Sequence, residues 1–476
     1  MRKGVNIPLI TILATSLLLV FALSAADVEK KAWKQAGKVL KSIKEPKFPD
    51  RQFDIRDFGA KEAVEDYSNT AINKAIQECH KQGGGKVIVP AGNFFTGPIE
   101  LKSNVCLHLE EGAVLKFSTN PEDYLPVVLS RWEGWDCYNL KPLIYAYEQE
   151  NIAITGKGIL DGQASSDNWW PWKSKKEYGW KEGMVSQEWN GDKEAGRNRL
   201  ARMEAEEIPV EERIMSIEDR LRPPFFQPYL CKNVLVEGIT INRSPFWLLH
   251  PLLCENVIIR GVTMDSHGPN NDGCDPESCK NVLIEDCYFN TGDDCIAIKS
   301  GRNKDGFRWN TPSENIIIRR CVMKDGHGGV VIGSEISGGC RNVWAEDCEM
   351  DSPNLDRIVR LKTNPLRGGT IENLFVRNIQ VGECKESVMR MELKYERVTK
   401  GPNMPVIRNV ILNNIQSNKS KYGVWIDGYT DHVSVHDILI RNCNFSNVEK
   451  GNLVIGAENV VFEEVFLNGK KVEDQP

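Results

Sequence analysis

One phrase recurs along the chain: NVLVEGI at 233–239, NVIIRGV at 256–262, NVLIEDC at 281–287 and NIIIRRC at 315–321. Each copy is an asparagine followed by a run rich in β-branched, apolar residues. Further copies begin at Asn342, Asn373, Asn409 and Asn459, with a variant at Asp437, and successive copies mostly start 23 to 36 residues apart. A period of this length is typical of repeat architectures, in which each repeat packs against its neighbours.

The repeated unit is predicted to be a β-strand, because it alternates apolar and polar residues with a period of two. No amphipathic helix of adequate length separates the copies, which disfavours an alternation of strands and helices. The asparagines are expected to form turns and to stack rung upon rung. The predicted fold class is therefore all-β, a right-handed parallel β-helix. The residue six positions after each start is always apolar or a cysteine, as expected for side chains stacked inside successive coils: Ile239, Val262, Cys287, Cys321, Cys348, Ile379, Ile415, Cys443 and Val465.

Fourteen cysteines in an exported chain would ordinarily suggest disulfides. Four of them occupy the stacked position, where cysteine serves as a small hydrophobic residue, so these four are predicted to be buried thiols. The pairing of Cys274, Cys279, Cys340 and Cys384 stays open.

The open end of the solenoid must be covered. Residues 69–85 read NTAINKAIQECHKQGGG and place Ile72, Ala75, Ile76 and Cys79 on one helical stripe. This pattern predicts a short amino-terminal capping helix. A tryptophan-rich insertion interrupts the repeat at about residues 164–227, and we expect it to form a structured loop within a single β-helix domain at 53–476.

The amino terminus has the layout of a secretory signal. A basic start precedes an apolar run and the small residues Ser24, Ala25 and Ala26, so residues 1–26 are predicted to be a signal peptide and 27–52 an extension. No later stretch approaches the length of a membrane helix, and the net charge of −6 disfavours binding to nucleic acid. The mature protein is expected to be exported, periplasmic or extracellular, without membrane insertion.

Acidic residues recur at equivalent points of consecutive repeats. Asp293 lies 12 residues after Asn281, His327 lies 12 residues after Asn315, and Asp272 lies 16 residues after Asn256. Stacked coils therefore bring Asp272, Asp293, Asp294 and His327 towards one patch, with Arg360, Lys362 and Tyr395 arriving from two further coils. Clustered carboxylates can bind Ca²⁺ or act as acid and base in glycoside hydrolysis.

At these residues the sequence resembles glycoside hydrolase family 28, the polygalacturonases. The segments NND (270–272), GDD (292–294), GHG (326–328) and RLK (360–362) are similar to the family's NTD, G/QDD, GHG and RIK signatures and follow the same order. The resemblance covers roughly residues 53 to 465. It departs at Asn271 and Leu361, both conservatively.

The resemblance implies an inverting hydrolase that cleaves α-1,4 galacturonosidic bonds of pectic polysaccharide or oligogalacturonide, with no metal and no cofactor. It assigns Asp293 as the general acid, and Asp272 and Asp294 as the bases that activate water. In an inverting enzyme the acid and base flank a gap of roughly 6.5–9.5 Å. The two anionic neighbours are expected to raise the proton affinity of Asp293.

The remaining residues have supporting roles under this interpretation. His327 would orient Asp293, and the substrate would be bound by Asn270, Arg360, Lys362 and Tyr395. The tryptophan-rich insertion resembles loops that wall off one end of the groove in exo-acting members, which favours exo action.

Three alternatives stay open. The chain could hydrolyse rhamnogalacturonan, although the paired aspartates and the two cations show no departure. It could be a Ca²⁺-dependent pectate lyase, which chelator sensitivity would reveal, or a non-catalytic β-helix that binds carbohydrate and releases no reducing sugar.

Overall fold

The protein is described here by a computed structural model that covers residues 27–473, without the side chains of residues 63–66. Parallel strands wind in coils, and each strand pairs in register with the equivalent strand of the next coil. The predicted right-handed parallel β-helix is confirmed. The predicted signal peptide at 1–26 lies outside the described residues.

Three ladders of strands run along the helix. The first contains β1 (Gln52–Asp54), β3 (Gly85–Val89), β6 (Val105–Leu109), β11 (Glu150–Gly156), β14 (Lys232–Glu237), β16 (Glu255–Arg260), β18 (Lys280–Glu285), β21 (Ser313–Arg319), β24 (Cys340–Glu346), β27 (Thr370–Glu383), β29 (Val406–Lys419), β31 (Val435–Phe445) and β33 (Glu458–Leu467). The second contains β2 (Ala63–Tyr67), β4 (Gly92–Thr96), β7 (Ala113–Phe117), β12 (Ile159–Asp161), β15 (Thr240–Asn242), β17 (Thr263–Ser266), β19 (Tyr288–Thr291), β22 (Val322–Met323) and β25 (Glu349–Met350), and it merges with the first ladder at β27.

The third ladder carries the part of the wall that matters for function. It contains β5 (Ile99–Glu100), β10 (Ile144–Tyr147), β13 (Phe226–Tyr229), β20 (Ile296–Ile298), β23 (Val330–Ile332), β26 (Arg357–Lys362), β28 (Ser387–Glu392), β30 (Tyr422–Asp427) and β32 (Leu453–Ile455). Isolated bridges through Leu249 and Cys274 continue it between β13 and β20. Outside the ladders, β8 (Val128–Trp132) and β9 (Trp135–Asn139) form an antiparallel hairpin, and β34 (Lys470–Lys471) pairs antiparallel with β33.

The asparagine ladder predicted from the repeat is present. Asn233 has a left-handed backbone with φ of 55°, and its side-chain N–H donates to Asn151 at 2.9 Å. Asn315, Asn342 and Asn373 continue the series, each donating to its counterpart in the preceding coil at 3.0 to 3.2 Å. Each rung therefore satisfies a turn and ties two coils together.

The core is one continuous apolar column that includes all nine of the stacked positions, from Ile239 to Val465. All fourteen cysteines lie in the described part of the chain, and each is buried and free. The predicted buried thiols are confirmed, and the four cysteines whose pairing was open are free as well.

A helix at residues 27–42, α1, reveals an error in the period-two interpretation of the strands. In β14, Val234 and Val236 point into the core, whereas Leu235 between them belongs to a second apolar cluster with α1. The same outward row continues through the later coils: Ile258, Leu283, Ile317, Trp344, Phe375, Ile411, Leu439 and Val461. The central residue of each phrase is apolar because a helix covers it.

Other helices close one end and one side of the solenoid. The predicted capping helix is confirmed as α2 (Asn69–Lys81), whose Ile72, Ala75, Ile76 and Cys79 are fully buried. The insertion includes α3 (Gly196–Ala205), and α4 (Asn303–Trp309) follows β20. In the described range, 27–473, no helix is both long enough and apolar enough to cross a membrane.

Candidate active site

Backbone hydrogen bonds between three coils position the acidic residues. The N–H of Gly273 donates to the carbonyl of Asp294 at 3.0 Å, and the N–H of His327 donates to the carbonyl of Asp293 at 3.1 Å. Because these coils are stacked through the third ladder, residues from distant stretches of sequence meet just before β20 and β23. The structure brings together the four residues that were predicted to meet: Asp272, Asp293, Asp294 and His327.

The three carboxylates form a tight cluster. One oxygen from each of Asp272, Asp293 and Asp294 lies within 4.8 Å of the others. Asp272 and Asp294 are buried, whereas the side chain of Asp293 is 18% exposed and faces the cleft. Oxygens this close allow a single water to contact two of the carboxylates at once.

Two buried lysines balance the negative charge. Lys362 Nζ lies 2.7 Å from Asp294 Oδ2, and Lys299 Nζ lies 3.6 Å from Asp272 Oδ2. Lys299 also contacts Asp275 at 3.4 Å and Glu335 at 3.3 Å. The three aspartates could supply oxygen ligands to a metal ion, but these ammonium groups already compete for the same oxygens.

Burial raises the proton affinity of the two aspartates that contact Lys299, Asp272 and Asp275. Burial, followed by the charges of Asp275 and Asp293, raises the pKa of Asp272 well above its usual value. Burial likewise raises the pKa of Asp275 to about 8, although Lys299 opposes the shift. Asp272 and its neighbour Asp275 are therefore the groups that most readily keep a proton near neutral pH.

The expectation that Asp293 has a raised proton affinity is wrong. Burial alone would raise its pKa, but the charge of His327 and the 2.8 Å hydrogen bond from His327 Nδ1, with help from Lys362 and Lys299, hold the pKa of Asp293 below its usual range. The same contact raises the pKa of His327 to about 9. The pair therefore shares one proton, which resides on His327.

Three of the four residues expected to bind substrate line the same pocket, whereas Arg360 does not line it and contacts Glu392 at 3.3 Å. Asn270 lines the pocket and accepts a hydrogen bond from Arg222 at 2.9 Å. Arg360 and Lys362 face the ring of Tyr395, with the charged groups 5.6 and 5.4 Å from its centroid. Lys362 is ion-paired to Asp294. Its charge therefore stabilises the carboxylate cluster and is less available to bind a carboxylate of the substrate.

Sequence reasoning missed several charged residues of this pocket. Lys299 follows the apolar run CIAI, and a lysine directly after a buried strand was a usable signal. Asp275 follows the NND motif by three residues and was equally visible. By contrast, nothing in the repeat pattern indicated the contributions of Arg197 from α3 or Glu133 from the β8–β9 hairpin, since neither segment belongs to the repeat.

The insertion forms one wall of the pocket. Its Arg222 is fully buried and donates to the carbonyls of Pro245 and Pro269 at 2.9 and 2.6 Å, which fastens the insertion to the coils beside Asp272. Trp170 adds a hydrogen bond from Nε1 to the carbonyl of Ser244 at 2.9 Å. The pocket at the aspartates has a volume of 140 Å³. That is small beside the roughly 300–1,000 Å³ of pockets that hold drug-sized ligands.

Comparisons with known proteins agree with this geometry. The chain is similar to a crystal structure of a hyperthermoactive exopolygalacturonase from Thermotoga maritima, with 45% identity and a TM-score of 0.88 over 93% of this chain and 97% of that one. It is 28% identical to a probable polygalacturonase of Vitis vinifera over 69% of this chain, and 26% identical to an exo-poly-alpha-D-galacturonosidase of Dickeya chrysanthemi over 72% of it. The matched regions span 60% and 57% of the lengths of these two relatives.

The sequence profile described as "Glycosyl hydrolases family 28" matches residues 214–465, which include the coils that carry the three aspartates, His327 and Lys362. The solenoid, the three clustered carboxylates and the relatives lead to one assignment: the chain belongs to family 28 of the glycosyl hydrolases.

Proposed function

We propose that the protein is an exo-acting polygalacturonase, which hydrolyses α-1,4 galacturonosidic bonds of pectic polysaccharide or oligogalacturonide from a chain end. The observation that carries the proposal is the cluster of three aspartates in a small pocket walled by the insertion. A carboxylate cluster supplies acid and base, and a closed end admits a terminal unit. The names of the relatives support the same substrate class.

Asp293 is proposed as the general acid because it is the cluster member that is exposed to the cleft. Its proton comes from His327 along their 2.8 Å hydrogen bond. When a sugar excludes water from the pocket, the charged form of Asp293 loses solvation, which favours transfer of that proton to Asp293 and then to the leaving oxygen.

Asp294 is proposed as the base that takes the proton of the attacking water. It is ion-paired to Lys362 at 2.7 Å, whereas burial raises the pKa of Asp272 and lets that group donate a hydrogen bond. Two oxygens within 4.8 Å of each other can both contact one water at hydrogen-bond distances of about 2.8 Å. We assign Asp272 to holding this water and retain inversion as the stereochemical outcome.

Digestion of polygalacturonate and of debranched rhamnogalacturonan side by side tests the function. We expect monomer or dimer from the first substrate from the earliest time point, and little release from the second. A ladder of oligomers would contradict exo action. Preferred release from rhamnogalacturonan would show that rhamnogalacturonan, and not polygalacturonate, is the substrate. Loss of activity with a chelator, together with products that absorb as conjugated double bonds, would indicate a lyase instead.

Residues 1–26 are proposed to be a signal peptide and residues 53–476 a single catalytic domain, with 27–52 as an extension of which α1 forms part. Expression of the full chain in a host with an export pathway tests this. The exported protein should begin near residue 27, and retention of the uncut chain in the cytoplasm would contradict it.

A further inference from the structure

Beside the aspartates, three arginines meet in one place. Arg197 comes from α3, Arg302 immediately precedes α4, and Arg367 follows β26. We call these residues the arginine cluster. Burial, and then the neighbouring charge of Arg367, lower the pKa of Arg302 to about 10.

Three glutamates neutralise the arginine cluster, but they are not equivalent. Glu133 contacts Arg197 at 3.0 Å and Arg302 at 3.3 Å, and Glu335 contacts Arg302 at 3.8 Å. The side chains of Glu133 and Glu335 are only 9% and 10% exposed. These two carboxylates are permanent, buried parts of the wall.

Glu396 is the exception. Its side chain is 42% exposed, yet its carboxylate lies among all three arginines, 2.9 Å from Arg367, 3.8 Å from Arg302 and 4.0 Å from Arg197. It follows Tyr395 in a short 3₁₀ segment, and its backbone is left-handed with φ of 57°, a conformation that costs a non-glycine residue free energy. A solvent-facing side chain on such a turn can swing away, which the buried glutamates cannot do.

Removal of Glu396 would take one negative charge away from a position within 4.0 Å of all three guanidinium groups. Nη1 of Arg367 is buried and has no hydrogen-bond partner, so the site has an unused donor as well. A carboxylate of the substrate would replace that charge, and a guanidinium fork binds a carboxylate through two parallel hydrogen bonds. The pocket lined by Asp272, Asp293 and Asp294 is also lined by Arg197, Arg302 and Glu396, so a sugar placed for cleavage lies next to this position.

We propose that Glu396 occupies the position where the carboxylate of the terminal galacturonate unit binds, and that the substrate displaces it to reach the arginine cluster. This inference rests on the proposed function, since it assigns the sugar carboxylate to the closed end of the same pocket. It makes Glu396 a stand-in for the substrate, and it makes the arginine cluster a determinant of specificity for an acidic terminal sugar.

Calorimetric binding of D-galacturonate to the full-length protein tests the proposal, with D-galactose as the neutral probe. If Glu396 fills the position about nine-tenths of the time, Glu396→Gln should strengthen galacturonate binding about tenfold, because the competent state is no longer rare. Galactose binding should not change. The control is Glu194→Gln, which removes an exposed carboxylate that is paired with Arg202 in the tryptophan-rich insertion. This variant should bind galacturonate like the parent.

Arg302→Lys completes the test, since it keeps the charge but loses the planar fork. It should weaken galacturonate binding by about tenfold or more while its melting temperature stays near that of the parent. Weaker or unchanged binding in Glu396→Gln would overturn the proposal, and so would a parallel gain for galactose. Turnover of polygalacturonate is measured separately: retained turnover with the wrong binding pattern refutes only this carboxylate site, whereas absent turnover refutes the proposed function.

Discussion

At the residue scale, the reactivity of the site depends on a contact between two side chains that titrate together. Asp293 and His327 are joined by a 2.8 Å hydrogen bond, and the shared proton lies on the ring. The equal offset of 12 residues predicted that the two would meet. It could not predict the direction of the pKa shift of Asp293, because that direction depends on how far the charge and hydrogen bond of His327 outweigh burial.

Asp293→Asn should abolish most turnover while leaving the fold and substrate binding intact. The amide has nearly the same shape but cannot deliver a proton, and general acid catalysis contributes roughly 10²- to 10⁴-fold. We expect kcat to fall by about that factor with KM little changed, as measured by release of reducing ends. Activity within a few-fold of the parent would show that another residue is the acid.

The activity should decline at alkaline pH as the pair loses its proton. The pKa of His327 is raised from 6.5 to about 9, so the protonated pair persists above neutrality and disappears as the pH rises through about 9. Any stability that the pair contributes has the same sign: it is fully present below pH 6.5 and is lost through pH 9. In a pH profile of kcat, His327→Gln should move this alkaline limb to lower pH, because Asp293 alone must then hold the proton. A limb unchanged in the variant would assign it to another group.

At the element scale, α1 shows what a local pattern can hide. The first ladder repeats three apolar residues in succession, as in Val234, Leu235 and Val236, which a half-exposed strand would not do. That triplet is the sign of a strand covered on both faces. Its partner could not be identified from the repeat, because α1 lies almost 200 residues earlier in the chain and has no repeat of its own. The caps and turns, in contrast, were predictable, since α2 and the asparagines carry their signals locally.

Ala36→Glu should destabilise the protein by loosening α1 from the β-helix. Ala36 is 7% exposed within the apolar cluster under the helix, and a charge placed there would have to be desolvated or the helix would have to lift. Burial of a polar group without a partner costs about 1–3 kcal/mol in proteins, and a charge costs more. The measurement is the midpoint of thermal unfolding.

Gln35→Glu provides the matched control for this variant. It makes the same change in charge on the neighbouring residue, which is exposed. We expect its unfolding midpoint to stay close to that of the parent. Equal losses in both variants would mean that charge, and not packing of α1, determines the effect.

At the scale of the whole molecule, the solenoid explains how a protein that is proposed to be exported can keep so many free thiols. The stacked position of each coil takes a buried apolar side chain, and cysteine meets that need without a disulfide. Burial raises the pKa of the Cys340 thiol and, in the same way, of Cys137 and Cys295, so these groups remain protonated and unreactive near neutral pH. The protection comes from burial within the packed protein and not from any single cysteine.

The protection of the cysteines can be tested by counting reactive thiols. The native protein should react negligibly with a thiol reagent, whereas the protein unfolded in denaturant without reductant should show all fourteen thiols, because every cysteine is free and buried. Addition of reductant before unfolding is the control and should not raise the count. A count that is lower without reductant would reveal disulfides and would contradict the packed thiol column. Rapid reaction of the native protein would show instead that coils open, and the loss of activity over the same interval would then tell whether the coils that carry the aspartates are among them.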